Sequence, residues 1–254
     1  MEFNVLFVDD SKQKVSQRLR NLLPGAGDHL QGYGGIVCRG ALLPEIAWDL
    51  RELCRTTGFG DFDEFKWSPK AGTTMHALDA DLRQAFLAAV CDLFERFEIQ
   101  LLLSVSGAVA DLEEDRASLH RFLTESISSA VSGDFGLSYV FDLPSNGYGK
   151  GGPQFLKYLS TTCADPVHRA PRVAFELCTD STYSRLLQAA DFATSCSLAY
   201  LVGDRRYSDL YMQRLVALIP APSAAWPAGG FWVGEDDATK TALLTSLGEA
   251  TPAP

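Results

Sequence analysis

Four separated segments of this chain each carry a carboxylate where an apolar element meets polar sequence: Asp9 with Asp10, Glu64, Asp142, and Asp191. Val5-Leu6-Phe7-Val8 is apolar and partly β-branched, which predicts a buried strand, and two acids and a hydroxyl follow it without a break. Carboxylates at the end of a buried strand stand at the rim of a sheet, where open α/β sheets bind their ligands. Leu137-Ser138-Tyr139-Val140-Phe141-Asp142 repeats the arrangement. Glu64 and Lys66 stand two apart, so a strand would put both on one face, an acid beside a cation suited to neutralising phosphate. Asp191 lies in a run apolar almost all round, within about 40° of Leu187 and about 20° of Leu198 at the helical period. A lone acid in such a place is costly unless it is paired or binds a cation. Hard cations take oxygen ligands, and one element cannot surround them, so acids from several segments suit that chemistry. Each segment also has a plainer reading. Asp and Ser favour turns at strand ends, Glu64 and Lys66 fit a surface ion pair, and a buried Asp can simply accept hydrogen bonds.

Composition narrows the classes. At 254 residues, 46% hydrophobic and 21% charged, the chain predicts one elaborated, core-forming domain. No apolar run reaches transmembrane length, and Met1-Glu2-Phe3-Asn4 does not open a signal peptide, so a cytoplasmic protein with no membrane partner is expected. Cys38, Cys54, Cys91, Cys163, Cys178 and Cys196 form no C-x-x-C pair and read as buried reduced thiols. His29, His76, His120 and His168 lack zinc-ligand spacing, so any metal would be held by oxygen. A net charge of −10 argues against a broad nucleic-acid footprint but not against a carboxylate site for phosphate esters, which is acidic until a cation binds.

The elements that must position these acids follow in order. A short helix is expected around Val15–Leu23, and Gly34–Cys38 reads as a second strand able to pair with the first. A helix over 43–57 starts with Pro44 in its first turn and stops at Gly58 and Gly60. Whether Asp61–Ser68 is strand or loop stays open. The clearest helix is 79–98, followed by a buried strand at 100–107, and the strand–helix–strand order predicts a parallel unit. A helix over 111–131, the strand ending at Asp142, a glycine-rich loop with Lys150, a helix over 153–162 and a strand over 172–178 come next. The Asp191 helix, a helical segment over 203–217 and an Ala/Pro/Gly-rich extension over 220–254 complete the chain. Its glycine loop matches no phosphate-cradle motif.

An N-terminal strand with Asp, a strand pair, alternating helices and strands, and a late buried helix with Asp is similar to the ribonuclease-H-like architecture, a mixed α/β sheet with helices on both faces. Phe7-Val8-Asp9-Asp10-Ser11, Glu64-Phe65-Lys66, the strand ending at Asp142 and Leu187-Gln188-Ala189-Ala190-Asp191 resemble the family called domain of unknown function 3800. Its pattern is an apolar strand into D-E-S-G, then E-x-K, a strand-end Asp, and L-Q-x-A-D in a late helix. The likeness spans roughly residues 3–205. Asp10 stands where the family has Glu, and Lys12 where it has Gly.

The resemblance implies a nuclease, in bacterial defence or a mobile element, that hydrolyses phosphodiesters with two cations about 3.5–4 Å apart. Asp9, Glu64, Asp142 and Asp191 would be the ligands of Mg²⁺ or Mn²⁺, Asp10 an auxiliary acid, and Lys66 a stabiliser of developing phosphate charge. A nucleic acid, DNA or RNA, is the partner this implies. The rival is an inactive module of the same architecture that binds a protein or nucleic acid. The charge of −10 favours it, as do the aromatics Trp226, Phe231 and Trp232, expected to be exposed and able to dock a partner or a second copy.

Overall fold

The apolar run Val5–Val8 lies in β1 (Phe3–Lys14), a central strand of a six-stranded sheet. The computed structural model describes residues 3–17, 29–106, 112–132, 135–142, 173–224, 226, 229–234, 243 and 245. β1 pairs antiparallel with β2 (His29–Arg39), and β2 antiparallel with β3 (Gln100–Ser106). On its other side β1 pairs parallel with β4 (Gly136–Asp142), which pairs parallel with β5 (Val173–Thr179). β6 (Phe231–Val233) lies parallel to β3, so the sheet order is β5-β4-β1-β2-β3-β6. The helices are α1 (Leu43–Thr56), α2 (Thr74–Ala77), α3 (Ala80–Arg96), α4 (Leu112–Ser132), α5 (Arg185–Leu201) and α6 (Arg205–Ala217).

Successive strand residues point to opposite faces, and both faces are covered. Val5, Phe7, Ile36, Leu101 and Leu103 pack under α1, α3, α5 and α6. Leu6, Val8, Val37, Leu102, Tyr139 and Phe141 pack against Leu119, Phe122 and Leu123 of α4. Burial on both faces explains why these strands read as continuous apolar runs rather than alternating ones. The mixed α/β sheet with helices on both faces is therefore as expected. The Cys38, Cys54, Cys91 and Cys196 thiols are free and buried. Among the described residues no helix is long and apolar enough to cross a membrane.

Four expectations need correction or fall outside the described residues. No turn forms at Asp9-Asp10-Ser11, because β2 continues opposite β1 as far as the Lys14–His29 pair. Polar side chains do not end a ladder while a partner strand supplies the backbone hydrogen bonds. The parallel neighbour does end there, with Val8 opposite Phe141, so Asp9 still stands where the parallel half of the sheet stops. β3 is antiparallel to β2, not parallel, because two long helices rather than one span the connection. The chain runs out and back, and Gln100 enters the sheet opposite Val37, near the end of β2. The C-terminal aromatics are not an exposed docking segment: Trp226 and Trp232 are 4% and 6% exposed in the α4-side core, and Phe231 is only partly exposed. The expected helix over 153–162, the loop with Lys150 and most of the Val15–Leu23 helix lie outside the described residues.

The glycines of β2 hid a longer strand, and Gly34 has a packing reason. A Cβ there would sit 2.5 Å from the Thr194 hydroxyl and 3.1 Å from Leu103, so α5 lies directly on the backbone. Gly34→Ala is expected to cost about 1–3 kcal/mol through overpacking. Urea unfolding reads this as a lower midpoint with an unchanged slope, and an unchanged midpoint would mean that α5 does not seat there.

Candidate functional site

The site is built on the face of the sheet that α5 covers. Alternation along β1 carries Val5 and Phe7 into the α5-side core, so Asp9 and Ser11 follow them on that face. Along β4 the same rule separates Asp142 from Tyr139 and Phe141, which belong to the α4 side. Val8 pairs with Phe141 across the parallel ladder, which brings Asp9 and Asp142 to the same level. α5 crosses above them with Ser184 as its N-cap, accepting from the Leu187 N–H at 3.3 Å. From Leu186 to Val202 every residue but Asp191 is buried. The only opening along that stretch of helix is at its single acid.

Asp9 and Asp191, 182 positions apart in the chain, lie close enough for their carboxyl groups to act on each other. Burial, then the charges of Asp191, Asp10 and Asp142, pushes Asp9 well above the usual carboxylate range, against the opposing Asp10 N–H at 2.8 Å. Burial also raises Asp191, although Lys66, the Trp67 N–H at 3.2 Å, Asp9 and the Ser195 hydroxyl at 3.2 Å all act in the other direction. Lys66 is the strongest of these opposing influences, so the helix acid faces both another acid and a cation.

Glu64 and Lys66 lie on an irregular segment, not a strand, stretched between α1 and α2 and fastened to α5. The Phe65 N–H donates to the Gln188 side-chain oxygen at 3.3 Å, and the Trp67 N–H to Asp191. Lys66 Nζ is 3.3 Å from Glu64 Oε1. Burial pulls the Lys66 ammonium down, but Glu64, Asp191 and Asp142 outweigh it and hold the group above its ordinary value. Ser181 ties the remaining acids together: its N–H donates to Asp142 Oδ1 and its hydroxyl to Glu64 Oε1, both at 2.8 Å. Asp142 is raised by burial, with Ser181 and Lys66 opposing.

Asp9, Glu64, Lys66, Asp142 and Asp191 are therefore brought together. Asp10 is not. Its neighbour along the strand takes the α5 side, so Asp10 points to the other face and is exposed. Its backbone N–H donates to Asp9 Oδ1, and its charge acts on Asp9.

The supporting residues carried no signal of their own. Gln188 is fully buried, accepts from Phe65 N–H and from Arg185 at 2.8 Å, and donates to the Ser181 carbonyl at 2.8 Å. Arg185 also donates to the carbonyls of Asp63 and, at 2.7 Å, Gly60. The Ser195 and Ser11 hydroxyls share a hydrogen bond at 3.0 Å. Gln188 and Arg185 stand three apart, on one face of α5, which is the sole trace of their joint role in the sequence.

The class that fold and site define is a mixed α/β protein with a cluster of partly desolvated carboxylates and one lysine at the end of its parallel strands. The chain matches no family model and no curated protein. All the acids offer hard oxygen donors, which suits a divalent cation rather than a softer metal. Among the described residues, however, no three Asp, Glu, His or Cys side chains converge as a ready ion cage. Two pairs stand close together instead, Asp9 with Asp191 and Glu64 with Asp142 through Ser181, and Lys66 faces both.

Proposed function

We propose that the chain is a Mg²⁺- or Mn²⁺-dependent nuclease of ribonuclease-H-like fold. The observation that carries the reading is the Asp9–Asp191 pair, in which burial raises both acids and the charge of Asp191 raises Asp9 further, at the only opening along the Leu186–Val202 stretch of α5. Their mutual repulsion and desolvation disfavour the charged forms, and positive charge delivered to that point would relieve both costs. The sheet order supports the fold assignment: three antiparallel strands in chain order, then two parallel strands beyond β1, with the late helix across the first strand. So does the family resemblance of the four acid-bearing segments.

On this reading Asp9, Asp191 and Asp142 would hold the cation, with Glu64 as the outer ligand. A divalent cation bound there supplies a water of lowered pKa and stabilisation of phosphate charge. Lys66, held protonated by three acids, places a positive charge for the phosphate oxygens. Ser181 keeps Glu64 and Asp142 oriented, and Gln188 fixes the backbone that carries Glu64 and Lys66. The test is cleavage of end-labelled DNA and RNA, single-stranded and duplex, with Mg²⁺, with Mn²⁺ and with EDTA. Cleavage that needs the cation supports the reading, and none on any substrate counts against it.

The second reading, an inactive scaffold that binds a partner, is favoured by the lack of a ready ion cage among the described residues and by the net charge of −10. It expects the same acids to hold protons and hydrogen bonds only, with no response to cation.

A further inference from the structure

Beside the acids lies a surface that the catalytic reading leaves unused. Phe62 and Tyr183 are 71% and 74% exposed, the two most exposed large hydrophobic side chains among the described residues. Their rings meet edge to face, centroids 6.2 Å apart at 81°. Phe62 stands two residues before Glu64, and Tyr183 two residues after Ser181. Tyr183 belongs to the 3-10 turn Ser181–Tyr183, whose first residue holds Glu64 and Asp142 and whose later residues line a cavity of about 160 Å³. Arg51, Asp61, Thr182 and Arg185 share that cavity's wall. An aromatic face, a guanidinium, a carboxylate and a hydroxyl thus surround a space suited to one flat, hydrogen-bonding ring.

We propose that Phe62, Tyr183 and this cavity form a subsite for an unpaired nucleobase, so that the substrate is a single-stranded nucleic acid. The inference rests on the nuclease reading and names its substrate class. Charge points the same way. Duplex binding rests on neutralising many phosphates with Lys and Arg, and a chain of net charge −10 is poorly equipped for that. Stacking on aromatic rings holds a base by its flat face and tolerates any base, an attachment in addition to phosphate neutralisation. Bases inside a duplex are unavailable to such a platform, so single strands are selected by the stacking itself.

The experiment is fluorescence anisotropy with labelled oligothymidylate, its RNA counterpart and a duplex of equal length. It is run in EDTA, and again with Mg²⁺ on an Asp9→Asn background, so that binding is read without cleavage. Single strands should bind more tightly than duplex, and Phe62→Ala with Tyr183→Ala should weaken them about 10- to 100-fold. Tyr183→Trp, which keeps a stacking face, should retain wild-type affinity. Both side chains are exposed, so an unchanged melting temperature certifies the fold of each variant. Duplex bound as well as single strand, single-strand affinity unchanged in the double variant, or no binding of any oligonucleotide overturns the subsite. The two readings fail separately: aromatic-dependent binding with no cation-dependent cleavage sinks the nuclease alone. Cleavage with aromatic-independent binding sinks the subsite alone.

Discussion

Asp191→Asn and Asp9→Ala are each expected to reduce cation-dependent cleavage by at least on the order of 10³-fold, because a bound cation supplies several kcal/mol of transition-state stabilisation. Initial rates on a labelled single strand measure it. Trp67 N–H donates to Asp191 Oδ2 and the Ser195 hydroxyl to Oδ1, and Asn retains one oxygen for the Trp67 N–H while its NH2 can donate to the Ser195 hydroxyl. The loss in Asp191→Asn is therefore one of charge, with the fold intact by circular dichroism. Asp10→Asn should fall far less, since Asp10 lies on the opposite face and contributes chiefly its backbone N–H. Equal losses at Asp9 and Asp10 would contradict the geometry of β1. Full cleavage in both Asp9→Ala and Asp191→Asn would remove the site.

The second large effect has the opposite sign. Asp9→Asn should make the protein more stable in EDTA, not less. In the folded chain, burial and the neighbouring acids raise Asp9 above its ordinary value of 3.8. For an acid raised by folding, the favourable contribution is fully present below 3.8 and is lost as pH climbs through the folded-state value. At neutral pH the wild type carries that penalty and the amide does not. The gain in melting temperature should therefore be small near pH 4 and larger at neutral pH. A chain of this size moves about 2–4 °C per kcal/mol, so a rise of several degrees is expected. Comparing two proteins that differ only at Asp9 cancels the exposed acids held low by local hydrogen bonds, such as Asp180 and Asp63. A drop at neutral pH would mean that Asp9 is a stabilising hydrogen-bond acceptor and not a strained functional acid.

These predictions rest on acids that were legible before the fold. Asp191 stood out because a charged residue in a helix apolar on every side needs an explanation, and a period of 3.6 residues is enough to see it. Asp9 and Asp142 were legible as acids closing buried runs, but their common face depends on the register of β1 against β4, which no single strand encodes. The strand β1 runs six residues past the apolar stretch because β2 continues beside it. Gly32 of β2 looks like a loop residue until Leu198 of α5 is laid beside it.

The direction of β3 was misread because the strand–helix–strand rule assumes one crossing, and two helices return the chain to the end it left. Trp226 and Trp232 looked like a docking segment because a short Pro- and Gly-flanked stretch carries no periodicity, yet Trp232 on β6 and Trp226 ahead of it both pack into the α4-side core. Gln188, Ser181 and Ser195 were illegible for a simpler reason. Neutral polar side chains are ordinary anywhere in a sequence, and only their partners, more than 100 residues away for Gln188 and Ser181, make them part of a site.

The central claim is that Asp9 and Asp191 gather to take a cation. Thermal unfolding with EDTA, then with millimolar Mg²⁺ or Mn²⁺, on wild type and Asp191→Asn tests it most directly. Whatever binds only the native state must stabilise it, by RT ln(1 + [L]/Kd) for a single site. The account predicts a cation-dependent rise in the melting temperature of the wild type that Asp191→Asn loses. No rise in the wild type, or the same rise in both proteins, would contradict it, leaving the acids as holders of protons and hydrogen bonds.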